Sequence, residues 1–403
     1  MQCFSFYDFL TSFLRPPPCF AFSSRSAKIL LFVSLTKNHS GHFFFSIDYP
    51  NKLYKDNPYF IPAIYADDLE DWDRNRNPAF EYCDAKCFLA YRNGKIVGRI
   101  GAIISHKANE KFNCRRMRFT QVDFIDDEEV SSSLFRQVES YAKEMDCTEV
   151  HGPLGFTDLD REGMLVEGFD RKSMFITYYN MPYYNEHLAR LGYVKDVDWI
   201  EYLINIPEEP NERLQRLTEM VMKRFKLRVM NISSKSGLKP VVRSVFRLLN
   251  DAYADLYGVV PLTDAQVERY TKKFLPLINM KYTCLVQNEH GEIVAFGVAA
   301  PSIANALKKS GGKLFPFGAF RVLKACRKND TLDLFLVAVR PDMQGSGVNS
   351  IILNHVLNNA IKSGIKYAET GPELETNDKV IAQWKFFEVD QHKRRRCYIK
   401  TLQ

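Results

Sequence analysis

One segment limits the fold more than any other: Leu334-Phe335-Leu336-Val337-Ala338-Val339-Arg340-Pro341-Asp342-Met343-Gln344-Gly345-Ser346-Gly347-Val348-Asn349. Its unbroken apolar start is far too short to span a membrane and reads as a strand. A loop with two glycines follows, and Ser350–Ser363 continues at once as an amphipathic helix. At such a helix start the backbone N–H groups point outward without partners, and the helix dipole adds partial positive charge. Glycine lets an anion come close to the backbone. A strand, loop and helix of this kind form a nest for phosphate.

The rest of the chain shows the same order of elements twice. Cys87–Tyr91, a turn at Asn93-Gly94 and Ile96–Ile104 read as a hairpin, because Asn-Gly accepts the positive φ of a tight turn. Arg118–Phe124 is a strand, Val130–Met145 a helix, Glu149–Gly152 a strand, and Tyr184–Leu191 a helix closed by Gly192. Pro207-Glu208-Glu209-Pro210 then punctuates the chain. Beyond it Val241–Tyr257 and Asp264–Phe274 read as helices, and Thr283–Gln287 and Ile293–Ala300 form a hairpin about His290-Gly291. Thr331–Val339 is a strand, Ser350–Ser363 a helix, Lys366–Thr370 a strand, Asn377–Phe387 a helix and Arg396–Lys400 a final strand. The expectation is an α/β fold of mixed (α+β) sheet made of two copies, residues 48–206 and 207–403.

At 403 residues the chain is long enough for two or three cores, and 46% apolar with 26% charged residues is ordinary for a globular protein. The charge of +7 suits an anionic ligand and is equally met by a solvated basic surface. Nine cysteines carry no CxxC pair and no His/Cys cluster at zinc spacing, which reads as reduced thiols in a cytoplasmic protein with no metal. Residues 1–47 stand apart: rich in Phe and Ser, with Asp8 the only acid before Asp48, and with Pro16-Pro17-Pro18. A targeting leader, a disordered extension and a start placed too far upstream are three readings of them, and Ile29–Leu35 is a candidate first strand.

The glycine loop with its Val-x-Pro lead-in resembles the GNAT acyltransferase family, whose pyrophosphate loop reads Gln/Arg-x-x-Gly-x-Gly/Ala. Gln344 and Gly347 match the first two fixed positions, and Asn349 departs from the small third residue. The order of elements from Val229 to the C-terminus is similar to the family as well, and Leu191-Gly192-Tyr193 resembles a common GNAT ending in the first copy. The resemblance implies two tandem GNAT-like domains with acetyl-CoA or another acyl-CoA as co-substrate. Its pyrophosphate would sit on Gln344, Gly345, Ser346, Gly347, Val348 and Asn349, and its pantetheine along Val337, Ala338 and Val339. A main-chain N–H near Val337 or Ala338 would polarise the thioester carbonyl.

Amine attack needs a base, for which Asp333 on the apolar strand and Glu369 on the next are the candidates. A strand carboxylate is more often solvated or ion-paired. The family commonly uses a tyrosine in the last helix to protonate the leaving thiolate; Gln383–Glu388 has none, so Tyr398 is the substitute, against its bland reading as core. Glu373 and Glu375 read as surface charges, and Lys393-Arg394-Arg395-Arg396 as a solvated basic loop.

In the first copy Asp126-Asp127-Glu128-Glu129 stands where the phosphate loop would be, and carboxylates there repel a pyrophosphate. The long loop His151–Phe169 carries Asp158, Asp160, Glu162 and Glu167, which could receive a cationic amine or be solvated in an inter-domain loop. The leading function is acyl-CoA-dependent N-acylation of a small-molecule or peptide amine, with no nucleic-acid or membrane partner. A catalytically inactive tandem scaffold and a transferase using charged tRNA are the competing readings.

Overall fold

The computed structural model describes residues 31–35, 40–232 and 234–403. The readings made for residues 1–30 lie outside these. The first half runs β1 (Leu31–Leu35), α1 (Ser40–Leu53), α2 (Tyr65–Asp71), β2 (Cys83–Arg92), β3 (Lys95–Ser105), α3 (His106–Lys111) and β4 (Arg116–Phe124). It continues with α4 (Glu128–Glu144), β5 (Glu149–Gly152), β6 (Met164–Glu167), α5 (Tyr183–Arg190) and β7 (Val194–Asn205). The second half begins with α6 (Glu212–Arg224), β8 (Arg228–Val229), α7 (Val242–Ala252), α8 (Asp264–Phe274), β9 (Thr283–Gln287) and β10 (Ile293–Pro301). Two helices, α9 (Ala304–Ser310) and α10 (Gly318–Arg327), precede β11 (Thr331–Val339), α11 (Asn349–Lys362), β12 (Tyr367–Thr370), β13 (Glu373–Leu374), α12 (Asp378–Ile381) and β14 (Glu388–Thr401).

Local chemistry accounts for most of these elements. The β2–β3 turn holds Asn93 at φ 52° and Gly94 at φ 73°, the geometry that an Asn-Gly pair allows. In α4, Val130, Leu134, Phe135, Val138, Tyr141 and Ala142 form one buried stripe. Thr263 and Gln266 close a reciprocal capping box on α8. The helix expected to reach Tyr257 stops at Ala252, with Tyr253 as its C-cap, and the chain goes on through turns to Gly258 at φ 74°. That expected over Asn377–Phe387 divides into α12 and a 3-10 turn, Ala382–Phe386.

All strands join one mixed sheet in the order β1-β2-β3-β4-β5-β14-β7-β12-β11-β10-β9-β8, with β6 on β14 and β13 on β7. The order is palindromic. Each half supplies an antiparallel hairpin and a parallel pair, β4–β5 and β11–β12. The last strand of each half then crosses over: β14 pairs with β5 of the first half, and β7 with β12 of the second. The break expected at Pro207 falls after β7, so the sheet is continuous across it.

The seam between β7 and β14 corrects the reading of Lys393–Arg396 as a solvated loop. These residues are mid-strand, and strand alternation sorts them by face. Lys393 and Arg395 are fully buried. Lys393 Nζ lies 2.9 Å from Glu201 Oε2, and Arg395 Nε binds the other oxygen of the same carboxylate. On the opposite face Arg396 and Arg394 pair with Asp198 at 2.8 and 3.2 Å. Burial pushes the Glu201 carboxyl up, but Arg395 and Lys393 outweigh it and hold it down at about 2.

Removing one member of a buried ion cluster leaves its partners uncompensated, which costs about 3–5 kcal/mol. Glu201→Gln is expected to lower the urea unfolding free energy at pH 7 by that amount. Because the folded pKa lies below the unfolded one, this contribution is present above about pH 4.3 and is lost as the pH falls towards 2. The gap between variant and wild type therefore narrows in acid; a gap independent of pH would show that the charge itself is not what stabilises.

Candidate active site

β11 and β12 stay paired from Thr331 to Leu334 and then part, β12 giving way to Gly371 and to β13, which joins β7. At the point of parting β11 also bulges. Val298 of β10 faces Leu336 and the adjacent Ala299 faces Leu334, so Phe335 is an extra residue outside the ladder. The wedge between the strands opens on both faces of the sheet.

On one face lies a cavity of about 190 Å³, bounded by Gly297, Leu334, Val337, Ile352, Leu353 and Trp384. On the other lies a cavity of about 240 Å³, walled by Leu249, Phe274, Leu285, Phe296 and Val298 among others. Asp158, Trp199, Tyr253, Phe335, Leu336, Gly371 and Pro372 line both, so the two cavities meet at the wedge.

The glycine loop stands one helical turn before Ile352. Gly345 and Gly347 take φ of 75° and 87°, a left-handed backbone that glycine adopts freely. No hydrogen bond among the described residues engages the N–H of Gly345, Gly347, Val348 or Asn349. The α11 start carries no side-chain cap, and the buried Asn349 Oδ1 has no partner. Lys379 Nζ approaches Gln344 Oε1 at 3.4 Å, bringing a cation to the rim. Free donors, a helix start and a nearby lysine fit a pyrophosphate.

The loop Pro153–Gly163 of the first half reaches across to the second cavity. Thr157 hydrogen-bonds the Tyr270 hydroxyl, which also donates to Asp160 at 3.1 Å. Asp158, Asp160 and Glu162 all line that cavity. Burial raises each of them. Asp158 reaches about 6, with Asp160 adding to the rise and Arg118 opposing it, while Glu162 goes well above the ordinary range. Tyr253, at the end of α7, donates to the Val337 carbonyl at 3.1 Å; its hydroxyl is raised by burial and by Asp158.

Several expected residues stand elsewhere. Asp333 and Glu369 are indeed opposite one another in the register, but in the closed part of β11–β12, and neither lines a cavity. Asp333 is fully buried and raised to about 8 by burial and by Glu369. Glu369 pairs with Lys393. Tyr398 packs in the first-half core opposite Gly152 and donates to Asn185 at 2.9 Å. It lies eight residues along β14 from Asp390, which faces Leu203 beside Glu369; that is roughly 25 Å of strand. Glu167 is exposed on β6, 3.5 Å from Arg394, and does not join the other three acids.

Glu373, read as a surface charge, instead lines the first cavity, accepts from Trp384 Nε1 at 2.9 Å and is raised to about 8 by burial. Glu375 does pair outward, with Lys195 and Arg394. Tyr253 and Glu373 are what sequence reasoning missed. Tyr253 lay inside a helix pattern where an aromatic reads as core, and Glu373 in a polar loop with no periodicity.

The equivalent helix start in the first half is filled by its own side chains. Asp127 caps the Val130 N–H at 3.1 Å, and Arg92 bridges Asp127 and Glu129 at 2.6 and 2.7 Å. Two other acid-rich groups are also occupied from within: Lys393 sits among Glu201, Glu369 and His392, and Tyr257 bonds Asp196, Cys397 and His151. No helix among the described residues is long and apolar enough to cross a membrane.

No protein-family model matches the chain. It is 26% identical over 365 residues to protein YghO of Escherichia coli, covering 88% of this chain and 92% of that one. It is 28% identical over 280 residues to the bacterial ceramide synthase of Caulobacter vibrioides, covering 68% and 71%. Among solved structures, a tandem GNAT protein from the clavulanic acid biosynthesis pathway superposes with a TM-score of 0.54 at 11% identity, over 93% of this chain and 98% of that one. A GCN5-related glucosamine N-acetyltransferase region of a fungal multi-domain β-N-acetylglucosaminidase gives 0.52 at 9% identity, over 92% and 38%. The palindromic sheet, the wedge between β11 and β12 and the glycine loop are thus parts of one architecture: the chain has the tandem GNAT fold.

Proposed function

We propose that the protein is an acyl-CoA-dependent N-acyltransferase whose acceptor is an amine with a long apolar tail. The observation that carries this reading is the meeting of the two cavities at the wedge, one beside the glycine-loop helix and the other deep, apolar and acidic at its end. An ammonium group is recognised by an ionised carboxylate and by neutral carbonyl oxygens beside it. Asp158, largely ionised at pH 7, takes the first role, and the acids Asp160 and Glu162 form the lining around it. The tail would lie against Leu249, Phe274, Leu285 and Phe296, each buried CH₂ contributing about 0.8 kcal/mol. Ceramide is the amide of a long-chain amino alcohol, so the name of the Caulobacter relative supports the same acceptor class.

Acyl-CoA supplies the acyl group as a thioester. The residues to hold it are Gln344, Gly345, Ser346, Gly347, Val348 and Asn349 at the pyrophosphate, with Val337, Ala338 and Val339 along the pantetheine. In the overall reaction the bound ammonium first gives one proton to solvent to become the nucleophilic amine. A C–N bond then forms, the C–S bond breaks, and the second nitrogen proton leaves with the thiol. Asp158 takes the proton from the attacking amine, since a carboxyl near 6 is largely ionised at pH 7 yet more basic than an ordinary aspartate. The oxyanion is met by a main-chain N–H of β11 near Val337 or Ala338, freed where the strands part. Tyr253, beside Asp158 at the wedge, would relay the amine proton to the thiolate, its own hydroxyl proton being replaced by the one Asp158 took, so that both side chains end as they began. Asp333, Glu369 and Tyr398 serve the fold rather than this step.

Free thiol release should follow incubation of acyl-CoA with long-chain amino alcohols, and kcat/KM should fall by at least about 100-fold for ethanolamine, which has no tail. Equal rates for both acceptors would remove the long-chain reading. Asp158→Asn should lower kcat by about 10²–10⁴ while leaving CoA affinity intact. Wild-type kcat should rise with pH and level off above about 6, as the base must be ionised; a profile unchanged in the variant would assign the proton transfer elsewhere.

Ser346→Glu places a carboxylate against the unpartnered N–H groups. Calorimetry should show CoA affinity reduced at least about tenfold, since like charge replaces a neutral donor set. An unchanged affinity would put the cofactor somewhere other than this loop.

A further inference from the structure

The segment between β10 and β11 gathers most of the exposed large apolar side chains of the described residues. Nine large apolar side chains are exposed among the described residues, and five of them, Leu314, Phe315, Phe317, Phe320 and Leu323, fall within ten positions. Phe315 is 88% exposed, Phe320 71% and Phe317 69%. α10 is anchored from beneath by Val322, Ala325 and Cys326, which pack with Ile61, Ile303 and Leu307, and its outer face is left uncovered by the described residues.

The charge around this patch has one sign. No Asp or Glu occurs from Ala304 to Asn329, while Lys308, Lys309, Lys313, Arg321, Lys324, Arg327 and Lys328 do. Among the described residues none of these seven has a carboxylate partner. Lys308 is tied to the Asn57 and Phe60 carbonyls, Lys313 lies over the Tyr65 ring, and Arg321 reaches the Lys309 carbonyl. At Asp198 and Asp71, by contrast, cations and acids gather together. Exposed aromatics rimmed by unmatched lysine and arginine fit the boundary of an anionic bilayer: the rings enter the headgroup layer while the cations meet lipid phosphates.

We propose that α10 and the Leu314–Phe317 loop dock the protein on an anionic membrane surface. The expectation of no membrane partner rested on span length, which does not bear on a helix lying in the interface. The patch also adjoins the second cavity: Ala325 and Cys326 share an apolar cluster with Ile176, Leu277 and Phe335, which line it. That docking brings a lipid amine to its cavity rests on the proposed N-acylation; the docking itself does not.

The test uses the full chain and vesicles of phosphatidylcholine alone or with about one-third phosphatidylglycerol. The protein is expected to sediment with the anionic vesicles at low salt and to be released at high salt. The triple variant Phe315→Ser, Phe320→Ser, Leu323→Ser should lose at least about tenfold in partitioning, and Lys313→Gln with Lys324→Gln and Arg327→Gln should do the same. Melting temperature and CoA binding should stay unchanged in both, since the altered side chains are outside the core. Wild-type protein left in the supernatant with both vesicle types overturns docking, as does an apolar triple variant that still binds. A dimer in sedimentation velocity that the apolar variant turns into monomer assigns the patch to a second copy of the chain instead. None of these readouts uses acyl transfer, so docking can fail while the proposed activity stands, and the reverse.

Discussion

Glu201 is the point on which the two halves of this molecule depend. It belongs to the last strand of the first half, and its two oxygens are taken by Lys393 and Arg395 of the last strand of the second. Each half therefore lacks a closing strand of its own: β14 completes the first sheet and β7 the second. Three fully buried charged side chains at one seam carry a large desolvation cost, which only their mutual pairing offsets. Such a seam does not slide. A one-residue slip of β14 would exchange Lys393 and Arg395 for Arg394 and Arg396 and break both the Glu201 and the Asp198 sets at once.

That fixed register has a consequence for the site. The wedge between β11 and β12 opens because β12 is short and β13 leaves it to pair with β7. The strand that holds the wedge open thus comes from the other half. The same crossing brings the Pro153–Gly163 loop over the second cavity, where Tyr270 fastens it through Thr157 and Asp160. Salt bridges from Arg269 and Lys273 to Asp71 and Asp67 hold α8 to α2 across the same join. The acidic end of the cavity is made by one half and its apolar wall by the other.

How much of this could be read from sequence depends on the range of the interaction. The glycine loop, the two hairpins and the capped helices are local, and their residues announce them: Asn93-Gly94, Gly345 and Gly347, the stripe along α4. Lys393–Arg396 was misread because four consecutive cations look like a solvated loop until a strand with Glu201 on one face and Asp198 on the other is laid beside them. The place of Asp333 in the closed part of the sheet was hidden for a similar reason. It lies on the right strand, but the strands part only after Leu334, and where a pair of strands separates is decided by a third. Asp158, Asp160 and Glu162 were legible as an acid-rich loop and Glu167 seemed to belong with them; a bend after Gly163 sends Glu167 along β6 to the surface.

The first half has the same fold but not the same chemistry. Its helix start is filled by Asp127 and closed by Arg92, and Phe119, Phe135, Tyr184 and Tyr193 pack together in its core. A helix start capped by its own carboxylate is more stable than one left with free N–H groups, so the second half forgoes stability at Gln344–Asn349 that the first half keeps. Those uncapped donors are the ones that the proposed pyrophosphate would use. In a duplicated chain with exchanged strands one copy can be made rigid while the other stays open. The rigid copy then contributes what an open site cannot hold alone, a loop of half-buried acids fixed at the mouth of an apolar cavity.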